Sequence, residues 1–253
     1  MHHGLDRAYL YSVLRLDCTF ADEFGNDPIE SFGSGFIVER EDHTMFLFTC
    51  KHVLDPTQQS WHKKCPRAYK HHRLSGLRLT YFREEGGVPG AQVEQVHVHS
   101  YAATVVSDNL SEDVVVVVDP TFQAEEGIVM NYTIPASVLA DEGFLSGLEP
   151  CDFLAFPGHS EYTVKGGRPV VRVGTVASDP TMDFSAEGIE GSCVAYEAFS
   201  TGGNSGSPVF SFQKGIPRIG TEVGGKRQGY RPPRLVGVNS RHLVGPKGQH
   251  GLG

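Results

Sequence analysis

Short runs of β-branched and aromatic residues recur along the first half of the chain, and turn residues separate them. Several of these runs alternate apolar and polar positions with a period of two, which is typical of β-strands. The predicted strands are Tyr9–Phe20, Ser31–Val38, Thr44–Cys50, Leu77–Phe82, Gln92–His99 and Val114–Val118. The last consists of five valines, which predicts a strand buried on both faces because β-branched residues disfavour a helix.

The second half repeats this pattern with shorter runs. Its predicted strands are Asp152–Phe156, Pro169–Val176, Cys193–Phe199, Pro208–Phe212 and Leu235–Asn239. Between Thr121 and Pro150 the periodic signal weakens, and Ser137–Asp141 predicts one helical turn. With ten or more strands and almost no helix, we expect an all-β protein, closed as a sandwich or as barrels, with a boundary between two halves in this weak region.

One segment, Asp55–Ser75, is basic and rich in histidine and lacks periodicity, so it predicts a surface loop with one short helix. Its histidines and cysteine raise the question of a metal site. Their spacing fits no closed zinc pattern, and we therefore expect a solvated basic loop and no metal. The residues concerned are His62, Cys65, His71 and His72.

The overall charge limits the classes of partner. The formal net charge is −8, which argues against a general nucleic-acid binder, since phosphate contacts need a basic surface. No apolar run approaches the length of a membrane span. The five cysteines form no CxxC pair and the N-terminus lacks the apolar core of a signal peptide, so we expect reduced, mostly buried thiols and a cytoplasmic protein.

The stretch Thr201–Pro208 has the sequence TGGNSGSP, with three glycines close to Ser205. Glycine is costly unless the backbone needs unusual dihedral angles or close approach. Two interpretations stand: a turn between two strands, or a loop that exposes the Ser205 hydroxyl together with backbone N–H groups.

Two upstream residues would complete a nucleophile. A serine hydroxyl needs an imidazole to take its proton, and the imidazole needs an acceptor to hold its tautomer. His52 ends an apolar strand, and Asp113 directly precedes the valine strand, so they are the preferred base and orienting group. The less favoured alternatives are Asp108 and Asp119 for the acid and Ser207 for the nucleophile.

Five segments in order resemble a chymotrypsin-fold serine peptidase, and the bacterial trypsin-like branch more than the disulfide-rich secreted enzymes. They are Gly33–Val38, Phe48–Val53, Glu112–Val116, Gly203–Pro208 and Leu235–Ser240. The resemblance implies two antiparallel barrels of the six-stranded type with the active site between them. Residues 1–125 would form the N-terminal barrel carrying His52 and Asp113, and residues 126–253 the C-terminal barrel carrying Ser205.

The same resemblance implies further roles. The backbone N–H groups of Gly203 and Ser205 would form an oxyanion hole. Ser240 would lie near Asp113, and the backbone from Ser240 through Arg241 would pair with substrate. Phe199 would form the floor of the primary pocket, which implies an apolar or small side chain before the cleaved bond.

Two departures from the family stand out. Cys50 replaces the alanine usual two residues before the histidine. The chain stops at Gly253, where a last strand and a terminal helix are expected.

These observations predict a serine endopeptidase that forms an acyl-enzyme, acts on a protein or peptide and needs no cofactor. The alternative is a protease-fold module that binds peptides without cutting, or an effector with little basal activity that an unknown partner triggers.

Overall fold

The structure is a computed structural model that describes residues 4–100, 104–106, 112–123, 129–160, 167–184, 193–215, 230–245 and 248–252. Within these ranges most regular structure is β-strand. The α-helices have only four or five residues each: α1 (Arg7–Tyr11), α2 (Lys51–Leu54), α3 (Ser60–Lys64) and α4 (Glu142–Leu145). Two 3₁₀ turns span Pro56–Gln58 and Ala136–Val138.

The first sheet contains nine strands among the described residues, joined in the order β6-β7-β3-β2-β1-β4-β5-β8, with β9 added beside β2. Neighbouring strands run antiparallel except β2 and β9, which are parallel. The strands are β1 (Val13–Ala21), β2 (Ile29–Glu39), β3 (Met45–Cys50), β4 (Arg73–Glu85), β5 (Val88–Ser100), β6 (Thr104–Val106), β7 (Val114–Val118), β8 (Thr121–Gln123) and β9 (Ile134–Pro135).

The second sheet contains five antiparallel strands in the order β12-β11-β10-β13-β14. These strands are β10 (Phe153–Gly158), β11 (Val170–Val176), β12 (Tyr196–Ala198), β13 (Pro208–Ser211) and β14 (Arg234–Val238). A hairpin of β15 (Arg241–Gly245) and β16 (Gly248–Leu252) follows, so strand structure continues after Ser240. A curled first sheet followed by a second sheet is the two-barrel arrangement expected from the sequence.

The two sheets meet through a shared apolar cluster. Phe36 and Ile134 from the first sheet pack with Phe210 and Leu235 from the second. Tyr9 of α1 stacks on Phe210 with ring centroids 4.8 Å apart. Because this cluster joins β2 to β13, it fixes the loops at the ends of both sheets relative to each other.

Parts of the sequence interpretation need correction. Tyr9–Tyr11 are helical rather than extended, because the Asp6 side chain caps α1 by accepting from the Ala8 N–H. The valine strand β7 is fully buried on one face only, at Val115 and Val117, and half-buried on the other. Strand pairing of the first sheet also extends beyond residue 125, since β9 at Ile134–Pro135 pairs with β2.

All five cysteines are free, as expected, but they are not mostly buried. Cys18 and Cys50 are buried, Cys193 is half-buried, and Cys65 and Cys151 are exposed. No helix among the described residues has the length and apolar character to cross a bilayer.

The role of the shared cluster can be tested with Phe210→Ala. Phe210 is 0% exposed, so truncation leaves a cavity between the sheets, and we expect the free energy of unfolding to fall by about 3–5 kcal/mol. Urea denaturation followed by fluorescence measures the change. The matched control is Phe24→Ala, because Phe24 is 79% exposed and its removal should change stability by less than about 0.5 kcal/mol. Equal effects from the two variants would contradict a structural role of the cluster.

Candidate active site

His52 lies at the end of an interior strand of the first sheet. Strand β3 ends at Cys50, and the chain turns directly into the short helix α2, which contains His52. The His52 side chain is 29% exposed, so one edge of the ring reaches the surface. From the basic loop, Gln59 Nε2 donates to the His52 carbonyl at 2.6 Å, and Ser31 Oγ donates to Gln59 Oε1 at 3.2 Å. The histidine backbone is therefore tied to its neighbours.

Asp113 reaches His52 because its strand pairs with β3. Cys50 lies opposite Val114 in the register, and the Lys51 N–H donates to the Asp113 carbonyl at 3.1 Å. The carboxylate accepts from the His52 backbone N–H at 2.9 Å, and its Oδ2 lies 2.5 Å from His52 Nδ1. Ser240 Oγ donates to the same Oδ2 at 2.8 Å. An ionised carboxylate only accepts, so the proton of this pair sits on Nδ1 and leaves Nε2 facing outward.

The surroundings of Asp113 keep its carboxyl ionised. Burial would by itself raise its pKa, since a low-dielectric site disfavours the charge. The hydrogen bonds and charge of His52, with the hydroxyl of Ser240, outweigh burial and hold the pKa of Asp113 below its ordinary value. A carboxyl with a lowered pKa in the folded state stabilises the fold above its unfolded pKa, and this contribution is lost as pH falls through the folded value.

The loop that carries Ser205 depends on two glycines with φ near +90°. A Cβ on Gly203 would lie 2.4 Å from Phe32 Cε2 and 2.5 Å from the His159 carbonyl oxygen. A Cβ on Gly206 would lie 2.0 Å from the Ser34 carbonyl oxygen. Both positions therefore need glycine for its dihedral freedom and for its lack of volume.

Ser34 of β2 connects the first sheet to this loop. Its N–H donates to the Ser205 carbonyl at 2.8 Å, and its Oγ donates to the Gly203 carbonyl at 2.8 Å. Thr49 Oγ1 donates to the Ser34 carbonyl at 2.7 Å. Ser34 thus holds the backbone on both sides of Asn204, and Thr49 holds Ser34.

Asn239 fixes the other side of the loop. Its Nδ2 donates to the Asn204 carbonyl at 2.7 Å, and its Oδ1 accepts from the buried Tyr196 hydroxyl. Its backbone carbonyl accepts from the Gly206 N–H at 2.8 Å and from Cys50 Sγ at 3.2 Å. Buried networks in which each polar group has a partner rigidify a site.

The Ser205 hydroxyl makes a long hydrogen bond to the Ser240 carbonyl, at 3.4 Å. Across the part of the chain that the structure describes, no hydrogen bond joins it to His52. In the same described ranges, the N–H groups of Gly203 and Ser205 donate to no protein acceptor, although those of Asn204 and Gly206 do. The structure therefore brings His52, Asp113, Ser240 and Ser205 together, with two N–H groups of the loop left available.

The other predicted residues lie in different settings. Phe199 follows β12 and is 67% exposed, which does not fit the floor of a closed pocket; the Arg172 guanidinium lies over its ring at 5.3 Å. The backbone of Arg241 begins β15. Ser207 is fully buried, and Asp119 lies at a turn with φ +46°. Asp108 lies outside the described residues.

His159 is close to the glycine loop but does not compete with His52. Burial, and then the nearby charge of Arg15, lower the pKa of His159 to about 4, so this imidazole is neutral at physiological pH. Its side chain is buried beneath the surface. His159 therefore has a structural role, because substrate cannot reach its buried side chain.

The side chains around His52 also raise the question of a metal. Cys50, His52 and Asp113 are the one group of three metal-ligating side chains that converge among the described residues. The 2.5 Å between His52 Nδ1 and Asp113 Oδ2 is a hydrogen-bond distance, whereas two ligands of a tetrahedral zinc ion lie about 3.3 Å apart. The observed geometry is that of a hydrogen-bonded pair. The group His62, Cys65, His71 and His72 does not converge within the described ranges.

The solved structures that resemble this one include two proteases. The MamO protease domain from Magnetospirillum magneticum matches with a TM-score of 0.50 and 15% identity, covering 97% of this chain and 92% of that one. A thermostable serine protease, AL20, from an extremophilic microorganism matches with a TM-score of 0.47 and 14% identity, covering 97% and 91%. The chain has a chymotrypsin-like fold. At these identities the likeness concerns the fold alone, and neither a family model nor a curated protein matches the sequence.

Sequence reasoning missed three residues that hold this candidate site together. Ser34, Gln59 and Asn239 each bond to the loop or turn that carries a predicted catalytic residue. Ser34 and Asn239 stand within the motifs that carry the resemblance, but nothing local to either shows which carbonyl its side chain meets. Gln59 lies in the basic loop and carries no motif.

The hydrogen bond from Ser240 to Asp113 can be tested with Ser240→Ala. Loss of one donor to the carboxylate should raise the pKa of Asp113 towards its ordinary value. The stability that this carboxylate contributes should then be lost at a higher pH during acidification. Carboxyl ¹³C NMR titration measures the midpoint directly. Ser146→Ala is the matched control, because Ser146 is an exposed serine that bonds only within its own turn. An unchanged Asp113 midpoint in Ser240→Ala would refute the interaction.

Proposed function

We propose that this protein is a serine endopeptidase with Ser205 as nucleophile, His52 as general base and Asp113 as the group that orients the imidazole. The observation that carries the proposal is the set of hydrogen bonds that the Asp113 carboxylate accepts. They come from the backbone N–H of His52, from Nδ1 of its ring and from the Ser240 hydroxyl. This arrangement leaves Nε2 of His52 without its proton, as a base toward a nearby hydroxyl must be.

The reaction follows from these groups. Ser205 Oγ attacks the carbonyl carbon of the peptide bond while His52 Nε2 takes the hydroxyl proton. The same proton then passes to the leaving amine, the C–N bond breaks, and an acyl-enzyme on Ser205 remains. Water deprotonated by His52 hydrolyses the ester. No cofactor enters any of these steps.

The developing negative charge on the substrate oxygen needs donors in place. The N–H groups of Gly203 and Ser205 are our candidates, since both lack an acceptor within the described residues while the two N–H groups beside them are engaged. A single such donor contributes about 3–4 kcal/mol of transition-state stabilisation. The network of Ser34 and Asn239 fixes the backbone that presents them.

One observation bears on the alternative of low basal activity. The Ser205 hydroxyl bonds to the Ser240 carbonyl at 3.4 Å instead of to His52. Catalytic hydrogen bonds are often long in the absence of substrate, so the geometry is compatible with an active enzyme and with one that a partner triggers.

The proposal is tested by labelling with a fluorophosphonate probe and by hydrolysis of unfolded casein. We expect a covalent adduct on Ser205, located by mass spectrometry, because only a serine activated by its base reacts with the probe. Ser205→Ala should abolish labelling, and casein hydrolysis should fall by a factor on the order of 10⁵ or more.

Ser207→Ala is the control, since Ser207 is two residues away and its side chain is buried. It should keep the adduct on Ser205. A folded protein that neither labels nor cuts casein would overturn the proposal, and labelling that appears only after addition of cell extract would favour the triggered alternative.

A further inference from the structure

Arg172 projects into the second sheet on the side of the Ser205 loop. It lies on β11 directly opposite Phe156 of β10, so the two side chains share a face. Phe156 belongs to the apolar core of the second sheet. Arg172 therefore points inward, where a guanidinium needs a specific reason to be present.

The guanidinium is linked to the nucleophile loop through one residue. Its Nη2 donates to Thr201 Oγ1 at 3.2 Å, and the same oxygen accepts from Asn204 Nδ2 at 3.3 Å. Asn204 directly precedes Ser205. The guanidinium also lies over the ring of Phe199, with Arg172 Cζ 5.3 Å from the ring centroid. Arg172 is thus held beside the position where the resemblance puts the primary substrate pocket.

The charge of Arg172 is uncompensated within the described ranges. No carboxylate there lies within ion-pair distance of it, and its Nε is buried without a hydrogen-bond partner. Two other largely buried arginines differ, since Arg15 pairs with Asp17 and Arg231 with Asp152. Burial lowers the pKa of Arg172 from its ordinary value, yet a guanidinium keeps its proton in proteins.

A half-buried cation without a counter-ion costs free energy, and an anionic ligand would recover it. Peptides carry such an anion as the side-chain carboxylate of Glu or Asp or as a free C-terminus. A planar guanidinium binds either one well, through two parallel N–H donors. A neutral pocket would gain nothing from an arginine at this place.

We propose that Arg172 binds the carboxylate of the residue before the cleaved bond, so that the protein cuts after Glu or Asp. This inference rests on the proposed peptidase function. It replaces the expectation of an apolar or small side chain before the cleaved bond. That expectation rested on the uncharged Phe199 alone, because the sequence does not show that Arg172 lies beside Phe199. Phe199 then supports the guanidinium through its ring face.

The test uses internally quenched peptides that differ only in the residue before the cut: Glu, Asp, Gln, Leu or Lys. All have amidated C-termini, so that the internal side chain is the only variable carboxylate. If Arg172 forms a hydrogen-bonded charge pair with the substrate carboxylate, kcat/KM for the Glu peptide should exceed that for the isosteric Gln peptide by roughly 10- to 100-fold. Preference for a peptide with a free C-terminus over every amidated peptide would overturn the assignment.

Arg172→Gln should reduce the ratio of kcat/KM for the Glu peptide to kcat/KM for the Gln peptide to about one, whatever common change the lost bond to Thr201 causes for all five peptides. Arg172→Lys should keep part of the ratio. Arg40→Gln is the matched control, because Arg40 is exposed and should leave the ratio unchanged. A purely structural arginine would instead lower kcat/KM for all five peptides alike.

Fluorophosphonate labelling separates this inference from the proposed function. Labelled wild type with no preference for Glu over Gln would overturn the role of Arg172 and leave the peptidase standing. Absence of both labelling and hydrolysis would overturn the peptidase and the role of Arg172 together.

Discussion

The carboxylate of Asp113 is the point on which the candidate site depends. It accepts hydrogen bonds from the backbone and the ring of His52 and from the hydroxyl of Ser240. Those residues belong to the first sheet and to the end of the second sheet, so one ionised group joins both halves of the molecule. Its lowered pKa follows from these same contacts, because each favours the charged form against the cost of burial. The site therefore depends on Asp113 in its ionised form.

A second constraint is the close approach between the strand residues of the first sheet and the Ser205 loop. Gly206 lies against the Ser34 carbonyl so tightly that a Cβ would be 2.0 Å from it, and Ser34 bonds to the backbone on both sides of Asn204. Asn239 and Tyr196 close the loop from the second sheet. The loop is thus shaped by polar contacts from two sheets. The shared apolar cluster around Phe210 packs those sheets against each other.

A chymotrypsin-like fold does not by itself imply peptidase activity, since function resides in the site that a fold carries. This chain combines a candidate set of groups for acyl transfer with an inward-facing arginine that has no counter-ion in the described ranges. The first supports the proposed cleavage of a peptide bond, and the second supports the proposed choice of the bond that is cut. Thr201 and Asn204 link the two, since Thr201 Oγ1 accepts from both Arg172 Nη2 and Asn204 Nδ2.

Local sequence determined most of the strands and the glycine loop, and it singled out His52 and Asp113 as candidates, because period-two patterns and backbone demands on glycine act over a few residues. It failed at Tyr9–Tyr11, where a capping aspartate favoured a helix, and at β7, whose outer face the neighbouring elements cover only in part. Tertiary structure alone decided the partners of Ser34, Asn239 and Arg172, and the exposure of Phe199. Each depends on atoms from segments that are distant in the sequence. Ser34, for example, bonds to the carbonyl of Gly203, 169 residues away, and a local sequence pattern cannot predict such a contact.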